Sequence, residues 1–135
     1  VSEGPVQYQL VDSAGELERL AGALARLPEF AMDLEGDYNL HRYGLHLCLV
    51  QIFDGQRCYL VDPLAIPRLD PLLELLGAPV VKVMFAPQSD LTLLDHLYGV
   101  PVRQVQDAQA AASLLGFNKL ALGTVLAEVL GVRLP

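Results

Sequence analysis

Between Glu29 and Asp62 the chain builds three strand-like runs in a row, with no room for a helix among them. "EFAMDLE" (29–35) is apolar until its last residues, "LHLCLVQIF" (45–53) follows, and "RCYLVD" (57–62) returns after a turn at "FDGQ". Strands joined by such short links pair antiparallel. After Asp62 the pattern changes, and helices alternate with single strands, which calls for parallel pairing through crossovers. Antiparallel strands first and parallel strand–helix units afterwards restrict the chain to an α/β fold: one mixed sheet with flanking helices, with the 29–35 strand near its centre. The 135 residues suffice for a single domain spanning 1–135, built on one core.

The remaining elements follow from period and punctuation. "VQYQLV" (6–11) reads as a strand. Ser13 with Glu16 three residues on is a capping box. It opens a helix with an apolar stripe of Leu17, Leu20, Ala21, Leu24 and Leu27, which Pro28 stops. Asp70-Pro71 reads as N-cap and first turn of a short helix to Leu76, ended by Gly77. "VVKVMF" (80–85) is a continuous apolar strand, followed by a helix from about Ser89 to Tyr98. "PVRQVQ" (101–106) reads as a short strand. Asp107 caps a helix through Leu115 that ends at Gly116. A last helix carries Leu122, Val125, Leu126, Val129 and Leu130 on one face and closes at Gly131.

Composition bounds the function. The chain is 53% hydrophobic with a mean hydropathy of +0.37, which suggests a sheet covered on both faces, or one whose covering lies partly outside this sequence. No apolar run approaches the roughly 18 residues of a membrane helix, so no membrane partner is expected. The chain starts at Val1 without a readable signal peptide and stops at "GVRLP"; both ends read as cuts in a longer chain. The net charge is −7, without the basic footprint of a simple nucleic-acid-binding module. An acidic balance is compatible with an enzyme whose carboxylates hold metal ions. Cys48 and Cys58 match no metal spacing and no disulfide framework. With Asp54-Gly55 at the centre of the hairpin turn, Cys48 falls opposite Val61 and Cys58 opposite Gln51. The thiols then lie on opposite faces, as free buried thiols of a reducing, cytoplasmic setting.

Chemistry concentrates at the end of the 29–35 strand. Asp33 and Glu35 stand at i and i+2 and so share a face. Two carboxylates this close stay ionised together only if cations or donors compensate them. No Lys or Arg lies within six residues on either side, Arg26 and Arg42 being the nearest. A hard divalent cation such as Mg²⁺ or Mn²⁺ fits this demand; simple solvation at a strand end is the alternative. Asp90 follows the strand 80–85 after the short "APQS" link. If those two strands are neighbours, Asp90 starts its helix near the same sheet edge, although an acid in a first helical turn is also ordinary. Three carboxylates from two adjacent strand ends would match a two-metal site for phosphoryl transfer.

These segments resemble a known family. "FAMDLEGDYNLHRYGLHLCLVQIFDGQRCYLVDP" is similar to the first exonuclease motif, with its following hairpin, of the ribonuclease D-like branch of the DEDD 3′–5′ exonucleases. "VVKVMFAPQSDLTLLDHLYGV" resembles the second motif, and "QDAQAAASLLGFNKLALGTVLAEVLGV" the helical segment beyond it. The resemblance implies a ribonuclease H-like sheet, an order that pattern alone shares with other mixed sheets. It implies that Asp33 and Glu35 are first-motif metal ligands and that Asp90 is the second-motif carboxylate. Two Mg²⁺ or Mn²⁺ ions would serve the complete site. The implied reaction is hydrolysis of phosphodiesters from the 3′ end of single-stranded RNA or DNA, releasing mononucleotides.

The match departs at several points. The family pattern includes a third motif, a Tyr or His followed four residues later by Asp, beyond the "LGV" segment. This sequence stops at Pro135 before any such motif, so the expectation is a weakly active or inactive fragment, or a catalytically degenerate binding or scaffold module. Asp107 is the nearby substitute carboxylate and fits better as an N-cap. Phe85 stands where many relatives have His and reads as core packing. Gly36 replaces a larger residue, which would alter how the terminal base is held. Tyr38, Arg42 and Tyr43 follow Glu35 in a loop from which they could meet a base or phosphate. His41, His46 and His96 have no metal spacing. Lys82 and Arg103 are isolated and form no basic patch. Ser89 has no His–Asp partner set.

Overall fold

The computed structural model describes residues 7–38 and 43–135. In chain order the elements are β1 (Tyr8–Val11), α1 (Ala14–Leu24), β2 (Glu29–Tyr38), β3 (Leu45–Phe53), β4 (Cys58–Val61) and α2 (Asp70–Gly77). They are followed by β5 (Val81–Met84), α3 (Gln88–Tyr98), β6 (Val105–Asp107), α4 (Ala108–Leu114) and α5 (Leu122–Leu130). The strands form one sheet in the order β1-β4-β3-β2-β5-β6. The pairs β2–β3 and β3–β4 are antiparallel, whereas β1–β4, β2–β5 and β5–β6 are parallel. This is the expected mixed sheet, with β2 in its interior between β3 and β5.

One sheet face makes the core. Phe30, Met32 and Leu34 of β2 alternate inward with Val50 and Ile52 of β3, Val61 of β4 and Val11 of β1. Leu17, Leu20 and Leu24 of α1, Leu72, Leu75 and Leu76 of α2, and Leu93 and Leu94 of α3 join them in one cluster. The opposite face carries Asp33, Glu35, Gln51 and Leu60. There Tyr8, Leu10 and Phe53 are 62%, 50% and 44% exposed, so apolar covering on both faces is not what the described residues show. No helix among them is long and apolar enough to cross a membrane.

Local chemistry sets the element ends. Ser13 accepts the Glu16 N–H at 3.4 Å, while the Glu16 carboxylate reaches back to the Asp12 N–H at 3.5 Å. α1 already ends at Leu24, ahead of Pro28. Further expectations need correction. The hairpin has a four-residue loop, because the Asp54 carboxylate gathers the Gln56 and Arg57 N–H groups at 2.7 Å each and the Tyr59 hydroxyl at 3.0 Å. The register therefore slips by two: Cys58 faces Phe53, and Leu60, not Cys58, faces Gln51. A two-residue slip keeps each side chain on its own face, and both cysteines are free and half-buried rather than buried. Asp70 is not the N-cap of α2; Leu69 is, and Asp70 stands in the first turn, paired with Arg68 Nε at 3.0 Å. Finally, the apolar stripe of α5 exists but none of its residues is buried, and β6 is confined to Val105–Asp107.

Candidate active site

β2 runs on past its β5 neighbour. Their pairing ends at Ala31↔Val83, whereas β2 continues to Tyr38. Beyond that point the β5-side edge of β2 offers backbone groups without a strand partner. The first turn of α3 fills the gap with Asp90. Its carboxylate lies near enough to the Leu34 backbone N–H and to the Asp33 carboxyl for both to act on it, and the Glu35 charge lies within electrostatic reach. Asp33 and Glu35 project from the exposed face of β2 while Asp90 is half-buried.

The electrostatics follow from this crowding. Burial raises the Asp90 pKa first, the Asp33 charge adds to it, and the Leu34 N–H opposes. The Glu35 charge and the Asp33 carboxyl raise it further, to about 6. None of the groups acting on Asp90 is a Lys or Arg. Close carboxylates without a basic partner are the donor chemistry of a hard divalent cation, so Asp33, Asp90 and Glu35 suit Mg²⁺ or Mn²⁺. Among the described residues, no three His, Cys, Asp or Glu side chains already surround a common point as ligands do. Asp33 acts on Asp90 both through its charge and through its carboxyl group, whereas Glu35 acts through its charge alone.

Two features of β2 and β3 shape the site. The register shifts between Glu35 and Gly36, where Cys48 is an extra residue in β3. Such bulges bend a strand and re-aim its side chains. At Gly36 an added Cβ would fall 2.8 Å from Leu93 Cδ2 and 3.4 Å from the His46 carbonyl. The glycine thus lets α3 approach β2 closely enough to deliver Asp90. An open cleft of about 530 Å³ lies here, lined by Glu35, Gly36, Tyr38, Ser89, Asp90 and His96. A larger groove of about 780 Å³ alongside it shares Leu45, holds Arg68 and Tyr98, and contains none of the three carboxylates.

The other candidates separate clearly. Tyr38 at the end of β2 is 68% exposed and Tyr43 is 97% exposed. His41 and Arg42 lie outside the described residues. His46 is half-buried on β3, and Ser89 and His96 are exposed on α3. Phe85 is half-buried at the β5–α3 junction and is not part of the core cluster, contrary to its reading as core packing. Asp107 is the N-cap of α4, accepting the Gln109 N–H at 2.9 Å.

The sequence reading missed three residues. His96 reaches the cleft because it follows Asp90 and Leu93 at helical spacing, a legible signal. Lys82, which forms no basic patch, is fully buried at 0% exposure, its Nζ donating to the Ala78 carbonyl at 2.6 Å. Its signal was alternation, which puts it on the same face as buried Met84. Burial holds its ammonium below the ordinary lysine range. Ala86 adopts φ 49°, a left-handed conformation costing a residue with a Cβ about 1–2 kcal/mol; nothing in an alanine announces this.

The likeness to known proteins agrees with this geometry. A family model described as 3′–5′ exonuclease matches residues 8–135. Ribonuclease D of Musicola paradisiaca is 32% identical over 112 residues, covering 82% of this chain and 30% of that protein. The crystal structure of Escherichia coli RNase D superimposes with a TM-score of 0.85 at 29% identity, over 96% of this chain and 35% of that one. The catalytic core of RRP6 from Trypanosoma brucei gives a TM-score of 0.85 at 25% identity, over 100% and 38%. The chain thus spans about a third of the length of the curated relatives it matches. Its sheet is the ribonuclease H-like sheet of these exonuclease domains, and the chain belongs to the 3′–5′ exonuclease family, in the ribonuclease D-like branch.

Proposed function

We propose that this chain is the core of a metal-dependent exonuclease that removes nucleotides from the 3′ end of single-stranded RNA or DNA. The observation that carries the proposal is the meeting of Asp33 and Asp90 at the overhanging edge of β2, with Glu35 nearby and no basic group acting on Asp90. In the proposed site Asp33, Glu35 and Asp90 hold Mg²⁺ or Mn²⁺. A bound divalent cation supplies an activated water and stabilises charge on the phosphodiester oxygens. The chain's own residues arrange the rest. Leu34 N–H orients Asp90, Gly36 admits α3, and exposed Tyr38 and His96 line the cleft where a terminal nucleotide would lie. RNA is the favoured substrate because the Escherichia coli protein is an exoribonuclease involved in structured RNA processing.

The test uses full-length protein and a 5′-labelled single-stranded RNA, with Mg²⁺ or with EDTA. The expected result is shortening from the 3′ end that EDTA abolishes and that Asp33→Asn slows by at least about 10²-fold. Undiminished activity in Asp33→Asn would remove that residue from the site. A second reading, a degenerate binding or scaffold module, draws support from the net charge of −7, which lacks the basic footprint of a nucleic-acid binder. Calorimetry separates the two: a full-length protein that binds no Mn²⁺ favours the scaffold.

A further inference from the structure

An N-cap carboxylate needs one backbone donor, and Gln109 supplies it to Asp107 Oδ1 at 2.9 Å. The same oxygen takes a second N–H at 3.0 Å, from Ala86, 21 residues earlier in the chain. Oδ2 faces Gln88 Nε2 at 3.5 Å. Ala86 is the turn between β5 and α3, and Gln88 is the first residue of α3. From its place opposite Met84 in the β5–β6 ladder, Asp107 therefore grips the start of α3. Capping α4 does not require this grip.

Ala86 is the residue that needs holding. Its φ of 49° lies in a region that side chains with a Cβ avoid, and such a conformation persists only where its surroundings over-determine it. The acceptor for its N–H is Asp107. Leu91 N–H bonds to the Pro87 carbonyl at 2.9 Å, so the turn runs straight into the first helical turn. That helical turn carries Asp90 to the Leu34 N–H and the Asp33 carboxyl.

We propose that Asp107 is a positioning residue: by fixing Ala86 in its left-handed conformation it sets the exit of α3 from the sheet and holds Asp90 against Asp33. The inference rests on the reading of Asp33 and Asp90 as the functional site. The N–H groups of Ala86, Gln109 and Ala110 outweigh the effect of burial and hold the Asp107 carboxylate below its ordinary range, so it is an ionised and strong acceptor.

The experiment measures single-amide hydrogen exchange on the metal-free full-length protein, and Mn²⁺ affinity by calorimetry. Asp107→Ser keeps a capping oxygen for Gln109 but, one bond shorter, loses its reach to Ala86. The expected result is exchange at Ala86 and Leu34 about tenfold faster, with α4 and Val50 unchanged. Mn²⁺ affinity should fall about tenfold, as when a metal ligand's outer support is lost. Asp107→Asn retains Oδ1 and should restore both readouts. Glycine takes positive φ without strain, so Asp107→Ser should disturb Leu34 less in an Ala86→Gly background. Unchanged Leu34 exchange in Asp107→Ser would overturn the proposal, as would a rise shared in proportion by α4 and Val50. Asp33→Asn is the control: if it leaves Mn²⁺ affinity intact, the metal-site reading fails, while Leu34 exchange still decides the role of Asp107.

Discussion

In the metal-free protein Asp90 is a stability cost at neutral pH, and Asp90→Asn should remove it. The carboxamide mimics the protonated acid: its oxygen can take the Leu34 N–H and its amino group can donate to Asp33. Burial and the Asp33 charge raise the Asp90 pKa from 3.8 to about 6. A raised acid pKa means that the stabilising contribution is complete below about 4 and is lost as pH climbs through 6. A rise of that size corresponds to about 3 kcal/mol, and because Asp90 is only partly buried, solvent screening brings this to about 1–2 kcal/mol. In EDTA at pH 8 the variant should therefore be the more stable protein, by about 5 °C in Tm. At pH 4 the two should coincide. Added Mn²⁺ should reverse the order, because it stabilises only the protein that binds it. Urea or thermal unfolding at both pH values, with and without Mn²⁺, measures all three. A variant less stable than wild type in EDTA at pH 8 would show that the buried charge is not the cost described.

Other perturbations probe the surroundings. Gly36→Ala puts a Cβ 2.8 Å from Leu93 Cδ2 and should cost about 1–3 kcal/mol in chemical denaturation, with weaker Mn²⁺ binding; wild-type stability would mean that Leu93 simply turns aside. Lys82 has a depressed pKa, so its folded state disfavours the charge and stability from this group should rise with pH toward the ordinary lysine value. Lys82→Met should flatten the rise in stability as pH approaches the ordinary lysine pKa from below, and an unchanged slope would count against burial as the cause. Asp54→Ala removes the acceptor for Gln56, Arg57 and Tyr59 and should cost about 1–2 kcal/mol, read from urea midpoints.

What the sequence disclosed and what it hid divide along physical lines. The arms of the hairpin and the core face of β2 were legible because alternation is local and strict. The nearness of the three candidate acids was legible because Asp33 and Glu35 share a face and Asp90 follows a strand by a short link. The hairpin register was not, since an Asp-Gly pair suggests a two-residue turn while the Asp54 carboxylate closes a longer one. Asp70 looked like an N-cap because it precedes Pro71, whereas the helix is capped one residue earlier, at Leu69. The stripe of α5 showed which side is apolar without showing what covers it. The grip of Asp107 on Ala86 joins residues 21 apart, and no local pattern encodes it.

The proposed chemistry stands or falls on whether Asp33 and Asp90 together hold a divalent cation. Anomalous diffraction from crystals of the full-length protein soaked in Mn²⁺ decides this. The expected map has a peak within ligand distance of Asp33 and Asp90, about 2.1 Å for a small hard cation, and Asp33→Asn abolishes it. A peak elsewhere, or none while the two side chains remain in contact, would rule the shared site out.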